Sequence, residues 1–406
     1  MISFIRHTPR TVLLLFFFAV SFELPRLTAR QIVPPPITTT VNNIRPGVVH
    51  KRIVDERGPW IINLVEIDLS YHNLDIVSAR AMDRLFGRER TSSIAERLKA
   101  KGRNVIAAIN ADFFSLRTGE NENNQIADGV VVKGTKMTGS PFDTFDNIHS
   151  QFGLTWMGKP VLDRFEFSCS VMWQNGHRIE IHGVNDVPKS TSLVLHNSQY
   201  GSRTPTDTLG MEIRELDLSP LSADLDTIPA VVTSIAQGGG MTIRPNSLVL
   251  SGYNLPSSHI LSKTVPGDTL TIILDFAPGS AHLKTLIGGW PRIVRDGMNV
   301  GHVADSLEGT FPRFSAGRHP RSGVGFAKDS TKVYFVVVDG RQQESVGMAL
   351  VEFGDLMLSL GIFQGLNFDG GGSTTLVVNG TIVNSPSDAT GERPVGNCLL
   401  LIHRSQ

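Results

Sequence analysis

Short apolar runs rich in Val, Ile and Phe recur along the chain, broken by Gly, Pro, Asn and Asp: "WIINLVEIDL", "NVIAAI", "SLVLH", "AVVTSI", "DTLTIILDF", "KVYFVVV" and "TLVVNGTIV". Runs of this length between turn formers read as β-strands. Two segments show helical spacing instead. "TSSIAERLKAKG" has Ser92 or Ser93 as its expected cap and Gly102 as its stop, and "SVGMALVEFGDLMLSLG" has Ser345 as its cap and Gly361 as its end. The pattern therefore predicts an α+β protein, a strand-rich mixed sheet with few helices. In the last run, Asn379 and Gly380 predict the tight turn of a hairpin.

One stretch has more specific topology. In "KVYFVVVDGRQQESVGMALVEFGDLMLSLGIFQGLNFDGGGS" a buried strand ends at Asp339, a helix follows, and a second short strand ends at Asp369. Strand, helix, strand is a βαβ unit with parallel strands. Both acids should emerge at one edge of a sheet, and this C-terminal unit is where a site is expected. The region from about 160 to 250 is less densely apolar and reads either as an inserted subdomain or as the outer strands of one sheet.

The first residues differ from the rest. Arg6, His7 and Arg10 precede "TVLLLFFFAVSF", and "LPRLTAR" follows. Residues 1–29 read as a secretory signal peptide, because the apolar run falls short of the ~20 residues that a membrane helix needs. Residues 30–60 then form a linker and lead-in strand, and 61–406 the functional domain, in a secreted, periplasmic or otherwise extracytoplasmic protein with no membrane association after cleavage. Composition agrees with a globular domain: 406 residues, 40% hydrophobic, with 38 basic and 38 acidic side chains. Zero net charge supplies no long-range attraction for nucleic acid, so a charged ligand must be held by a local cluster. Cys169 and Cys398 read either as an export-compatible disulfide or as two buried small residues.

The most unusual stretch is "NFDGGGSTTLVVNG". An ordinary turn needs one or two glycines, and Gly370, Gly371 and Gly372 together point to backbone held close to a ligand. Their N–H groups can form an anion-binding nest, with Ser373 and Thr374 adding hydroxyl donors. The loop continues into a hairpin, so it is neither a P-loop nor a dinucleotide fingerprint. Cations gather nearby in sequence: Arg313, Arg318, His319, Arg321, Arg341 and Arg393. Of these Arg321 and Arg341 bracket a buried strand, and arginine's planar fork suits a phosphodiester. A second candidate is "NVIAAINADFFS", where Asn110 could bond a sugar hydroxyl, Asp112 reads as a turn cap, and Phe113 and Phe114 read as core or as a sugar-stacking platform.

Seven motifs, "AAINADFF", "GGWPRIVRDG", "HPRSGVGF", "VVVDGRQQESVGM", "NFDGGGSTTLVVNG", "VNSPSD" and "GERPVGN", occur in the order seen in the phosphodiester glycosidase family. The chain resembles that family from about Val65 to His403. The resemblance implies an enzyme that hydrolyses the glycosidic bond of a sugar-1-phosphodiester, small or polymeric, releasing free sugar and a phosphomonoester. It also implies that Asn110, Arg321, Asp339, Arg341, Asp369, Gly370, Gly371, Gly372, Ser373 and Thr374 carry the site. Trp290 and Arg292 stand where relatives typically carry small or apolar residues, so the sugar's identity is not carried over. On this reading Arg321, Arg341, the glycine amides and Ser373 or Thr374 hold the phosphate, and Asp339 or Asp369 faces the anomeric carbon. No cofactor is required, although two aspartates and an asparagine could hold Ca²⁺ or Mg²⁺. Two other readings stay open: a non-catalytic envelope or exopolysaccharide-binding protein, and a phosphodiesterase cutting on the other side of phosphorus.

Overall fold

The structure is a computed structural model that describes residues 37–206, 210–221, 227–256, 259–278 and 283–404. The expected signal peptide lies outside the described residues. Among the described residues no helix is long and apolar enough to cross a membrane.

Two sheets facing one another build the half of the fold that matters for function. The first has eight strands, with Trp60–Asp68, Lys332–Val338, Arg321–Phe326, Gln364–Asn367 and Arg292–Arg295 in adjacent places. The second has five, with Leu376–Val378, Asn104–Asn110, Asn397–His403 and Leu74–Arg80 in order after the edge pair Thr381–Ile382. The alternation along Lys332–Val338 explains why that run is apolar throughout. Val333, Phe335 and Val337 point into a core shared with Ile109, Leu376, Leu399 and Leu401 of the five-stranded sheet. Tyr334, Val336 and Val338 point the other way, onto Phe353 and Met357 of the helix Leu350–Ser359. A strand buried on both faces has no polar side to show. Asn397–His403 behaves likewise: Leu399 and Leu401 face the shared core, while Cys398, Leu400 and Ile402 pack with Ile94 and Ala95 of the helix Thr91–Ala100. The result is four layers: helix, sheet, sheet, helix.

The predicted βαβ unit is present with a strand between its arms. Lys332–Val338 and Gln364–Asn367 each pair antiparallel with Arg321–Phe326 and are therefore parallel to each other. The predicted hairpin also forms, with Asn379 and Gly380 both at positive φ. Two caps differ from expectation. The first helix begins at Thr91 with no side-chain cap. Ser345 does not cap the second; its hydroxyl donates to the Asp339 carbonyl and accepts from Ile61 N–H, and Glu352 instead accepts the Ala349 amide at the helix start.

A third sheet, of thirteen strands, takes in most of the less apolar region from about 160 to 250. It buries a core of its own around Val171, Leu216, Leu250 and Ile272. Its strands Gln151–Thr155 and Leu283–Gly288 also send Phe152 and Ile287 into the shared core. Cys169 and Cys398 are free thiols buried in different cores, so the buried-residue reading of the cysteines stands and the disulfide does not form.

Candidate active site

The site lies where the two facing sheets meet. Leaving the strand Gln364–Asn367, the chain is held on both sides: Phe368 N–H donates to Ser322 O at 2.8 Å and Asp369 N–H to Ala111 O at 2.8 Å. Asn110 completes the clamp. Its amide donates to the Asp369 carbonyl at 2.6 Å, and its oxygen accepts the Ser322 hydroxyl at 2.8 Å and Thr375 N–H at 3.0 Å. Asn110 is wholly buried and its polar atoms are committed to protein, so it positions Asp369 and does not reach substrate as the sequence suggested.

Beyond Asp369 the three glycines admit close neighbours. A Cβ on Gly370 would lie 2.5 Å from the Pro320 carbonyl, and one on Gly371, at φ +60°, would lie 3.0 Å from the Arg341 guanidinium. On Gly372 it would overlap both Asp388 and Arg393, whose two-pronged ion pair has N···O distances of 2.8 and 3.0 Å. Only glycine lets these charged groups rest on the backbone. The expected nest of three bare amides is incomplete, because Gly371 N–H already donates to Pro320 O at 2.9 Å.

Asp369 and Gly370–372 open onto a cavity of about 280 Å³, whose wall also includes Arg321, Arg341, Arg393, Glu122 and a set of aromatic side chains. Arg341 is exposed and sits at φ +60°. Arg321 is 1% exposed and lies over the Phe314 ring. Its Nε donates to Met348 O and its Nη2 to Phe314 O and Gly317 O, at 2.8–3.0 Å. Burial, then the nearby Arg341 charge, lowers its pKa to about 9. Arg321 therefore braces the wall more than it reaches for a ligand, Arg393 is paired with Asp388, and Arg341 is the freer cation.

Two acids share the cavity with their pKa values set apart. Burial raises Asp369 to about 6, helped by the Asp112 charge and opposed by the Ser373 hydroxyl and Arg393. Burial raises Glu122 further, to about 8, with Asp112 and Asp369 adding repulsion. Asp112 is buried and accepts from Asn123 N–H, the Asn123 amide at 2.7 Å and the Asn121 amide, so it ties the end of its strand to the loop nine to eleven positions on instead of capping the turn that follows it, the role the sequence suggested. Burial raises its pKa as well.

Asp339 is the largest departure from the sequence reading. It follows its strand as predicted, but its carboxylate accepts Ser385 N–H at 3.0 Å and the Asn384 amide at 3.2 Å, and it is not part of the wall that Asp369 lines. A parallel pair of strands one place apart put the two acids on one edge without aiming them at one point. Asp369's partner in the cavity is Glu122. Ser373 and Thr374 also stand outside the cavity wall. They are buried, and their hydroxyls, like that of Thr375, make no hydrogen bond of ordinary geometry, although the Ser373 hydroxyl lies near enough to the Asp369 carboxyl to favour its ionised form. The Ca²⁺ or Mg²⁺ donor set does not fit either. Asn110's oxygen is doubly occupied and Asp339 faces elsewhere. Among the described residues no group of three or more His, Cys, Asp or Glu could hold a metal ion.

Glu122 was missed because "TGENENNQ" reads as an exposed polar turn; nothing in its spacing tells that the loop folds over Asp369. The one usable signal was Asp112, ten positions earlier beside two phenylalanines.

Residues 232–402 match the family model described as phosphodiester glycosidase. Over 110 residues, 25% of this chain, the sequence is 34% identical to N-acetylglucosamine-1-phosphodiester alpha-N-acetylglucosaminidase of Bos taurus. Over the same length it is 36% identical to the protein of that name from Homo sapiens. The matched stretch spans 20% and 21% of those two proteins. The fold is similar to the crystal structure of a hypothetical protein from Synechocystis, with a TM-score of 0.70 at 18% identity over 91% of this chain and 64% of that one.

Proposed function

We propose that this chain, which belongs to the phosphodiester glycosidase family through residues 232–402, hydrolyses the glycosidic bond of a sugar-1-phosphodiester and leaves a phosphomonoester. The observation that carries the reading is one cavity holding Asp369, Glu122 and the exposed Arg341. At neutral pH, Asp369 with a pKa of about 6 is ionised and Glu122 with a pKa of about 8 is protonated. Two carboxyls held in opposite protonation states are what glycoside hydrolysis requires.

The division of labour follows from the charges. Arg341 neutralises the phosphodiester and can fork two of its oxygens because its guanidinium already rests against Gly371, while Arg393, paired with Asp388, lines the same wall. The Asp369 carboxylate, on a backbone fixed by the Asn110 amide and the Ala111 carbonyl, faces the anomeric carbon, either attacking it or taking a proton from the attacking water. As the glycosidic C–O bond breaks, its electron pair stays on the phosphate oxygen. Glu122, neutral, does not repel that developing charge and can hydrogen-bond or protonate it. A phosphate leaves readily, so the acid's share is modest. N-acetylglucosamine is the first sugar to test, because the bovine and human relatives are named for it. Action outside the cytoplasm is part of the proposal and rests on the leader-like first 29 residues.

Product analysis on N-acetylglucosamine-1-phosphodiesters tests the whole reading. Free sugar with phosphomonoester supports it. Sugar phosphate as product would mean cleavage on the other side of phosphorus, and tight binding with no turnover would mean a recognition protein.

A further inference from the structure

The cavity that holds Asp369 and Glu122 has a second side with almost no polar chemistry. Phe113, Phe114, Leu116, Phe142, Phe311, Phe314 and the buried Trp290 line it. Aromatic walls in carbohydrate-active proteins often offer a flat face to the C–H side of a sugar ring, and the geometry here argues against that use. Trp290 is 2% exposed and already carries two nearly parallel rings, His149 at 5.3 Å and Phe314 at 5.0 Å, each tilted by 20°. Phe314 in turn has the Arg321 guanidinium over it at 4.9 Å. Phe113 meets Trp290 and Phe314 edge-on, at 5.6 and 6.1 Å. The faces of Trp290 and Phe314 are thus taken up by neighbours within the protein, and the two largest stacked rings offer the cavity an apolar wall with no free face. A sugar placed there would lose hydrogen bonds to water without replacing them.

At the mouth this wall ends in two side chains that solvent should penalise. Leu116 is 61% and Phe142 57% exposed, and both line the same cavity as Asp369. Met137 and Phe145, from the segment that carries Phe142, are also exposed, at 48% and 44%. An apolar patch continuous with a charged catalytic pocket marks where an apolar part of the ligand lies. The polar side, with Asp369, Glu122, Arg341 and Arg393, accounts for the sugar's anomeric carbon and the phosphate. The part of a phosphodiester left over is the second alcohol.

We infer that the second ester arm of the substrate is a hydrocarbon, an alkyl or aryl alcohol, and that Leu116 and Phe142 hold it against the Phe113–Phe311–Phe314 wall. This rests on the reading of the cavity as a sugar-1-phosphodiester site. It predicts a preference among substrates that share the same sugar and the same scissile bond. Each methylene transferred from water is worth about fourfold in affinity, so burying only three gives roughly 60-fold.

The test compares N-acetylglucosamine-1-phosphate esterified to methanol, to octanol and to the 6-hydroxyl of methyl glucoside. The octyl ester should exceed both others at least tenfold in kcat/KM, chiefly through KM. The double variant Leu116→Ser with Phe142→Ser, at two exposed positions, should cut the octyl-to-methyl ratio to about threefold or less. Equal use of the methyl and octyl esters, or preference for the glucoside ester, overturns the inference and leaves the proposed reaction standing. If none of the three is cleaved, the proposed reaction fails, and the wall is read by calorimetry with octyl phosphate, methyl phosphate and glucose 6-phosphate. Octyl phosphate binding at least tenfold more tightly, with the gain lost in the double variant, supports the apolar arm; equal binding of the three overturns it.

Discussion

Replacing Glu122 with glutamine separates the two acids. Glutamine keeps the size and a hydrogen-bond donor but cannot titrate. On the proposed mechanism kcat/KM of the native protein requires Asp369 ionised and Glu122 protonated, with pKa values of about 6 and about 8. Independent titration puts ~80% of the enzyme in the competent form at pH 7 and ~10% at pH 5 or pH 9. The profile should be a bell centred near 7, with arms falling about tenfold per pH unit. The two groups repel one another, so the observed values belong to the pair and the bell can widen. In Glu122→Gln the alkaline arm should vanish while the acid arm stays near 6, because Glu122 is neutral there and contributes no charge to lose. The plateau should drop by roughly 100-fold or less, the lower end for a lost general acid when the leaving group is already good. The assay is initial-rate hydrolysis from pH 4.5 to 9.5 with released sugar measured. An alkaline arm that survives unchanged in Glu122→Gln would refute the assignment, since another group would then be titrating.

Asp369→Asn should abolish turnover, by about 1000-fold or more, whereas Asp339→Asn should retain activity within about tenfold, because Asp339 faces Ser385 and Asn384; comparable losses in two folded variants would restore Asp339 to the reaction. Asn110→Ala strands the Asp369 carbonyl, the Ser322 hydroxyl and the Thr375 amide, and should cost about 2–4 kcal/mol by urea unfolding along with most of the activity; an unchanged midpoint would contradict the clamp. Arg341→Gln should raise KM for the diester at least tenfold, with less effect on kcat, which steady-state kinetics will read directly. Glu122's folded pKa of about 8 stands above its ordinary 4.5, so the native state holds the proton more tightly and stability falls as pH rises between those values. Glu122→Gln should therefore gain in melting temperature relative to the native protein at pH 8.5 and show no such gain at pH 4; a difference independent of pH would count against the buried acid.

Alternation and turn chemistry made much of the framework legible. Lys332–Val338, the Asn379–Gly380 hairpin and the parallel arms on either side of Leu350–Ser359 could be read because local patterns decide them. Asp369 and its glycines were legible for a related reason, since three consecutive glycines have few other uses. The direction of the Asp339 side chain was not, because it depends on where the loop at Asn384 and Ser385 returns, 45 positions later in the chain. Asn110 stood out correctly as special but in the wrong role, since a polar residue ending an apolar strand looks the same whether it meets ligand or backbone. Glu122 was legible only through Asp112, ten positions earlier, because its character comes from burial beside Asp112 and Asp369 and no periodicity links it to either.

The clamp around Asp369 has a consequence for how the protein fails. Asp369 leaves a strand of the eight-stranded sheet, yet the groups that fix its backbone, Ala111 O and the Asn110 amide, belong to the end of a strand in the facing sheet. The proposed catalytic geometry is thus a measure of the registry between two layers that are otherwise joined by the hydrogen bonds at Asn110 and Asp339 and by side-chain packing, which tolerates small slips. A shift of one layer against the other by a fraction of an ångström would leave every strand paired and the core dry while misaiming the carboxylate. Damage to the shared core, at Phe335 or Leu399 for example, should silence the enzyme at temperatures where its secondary structure is still intact.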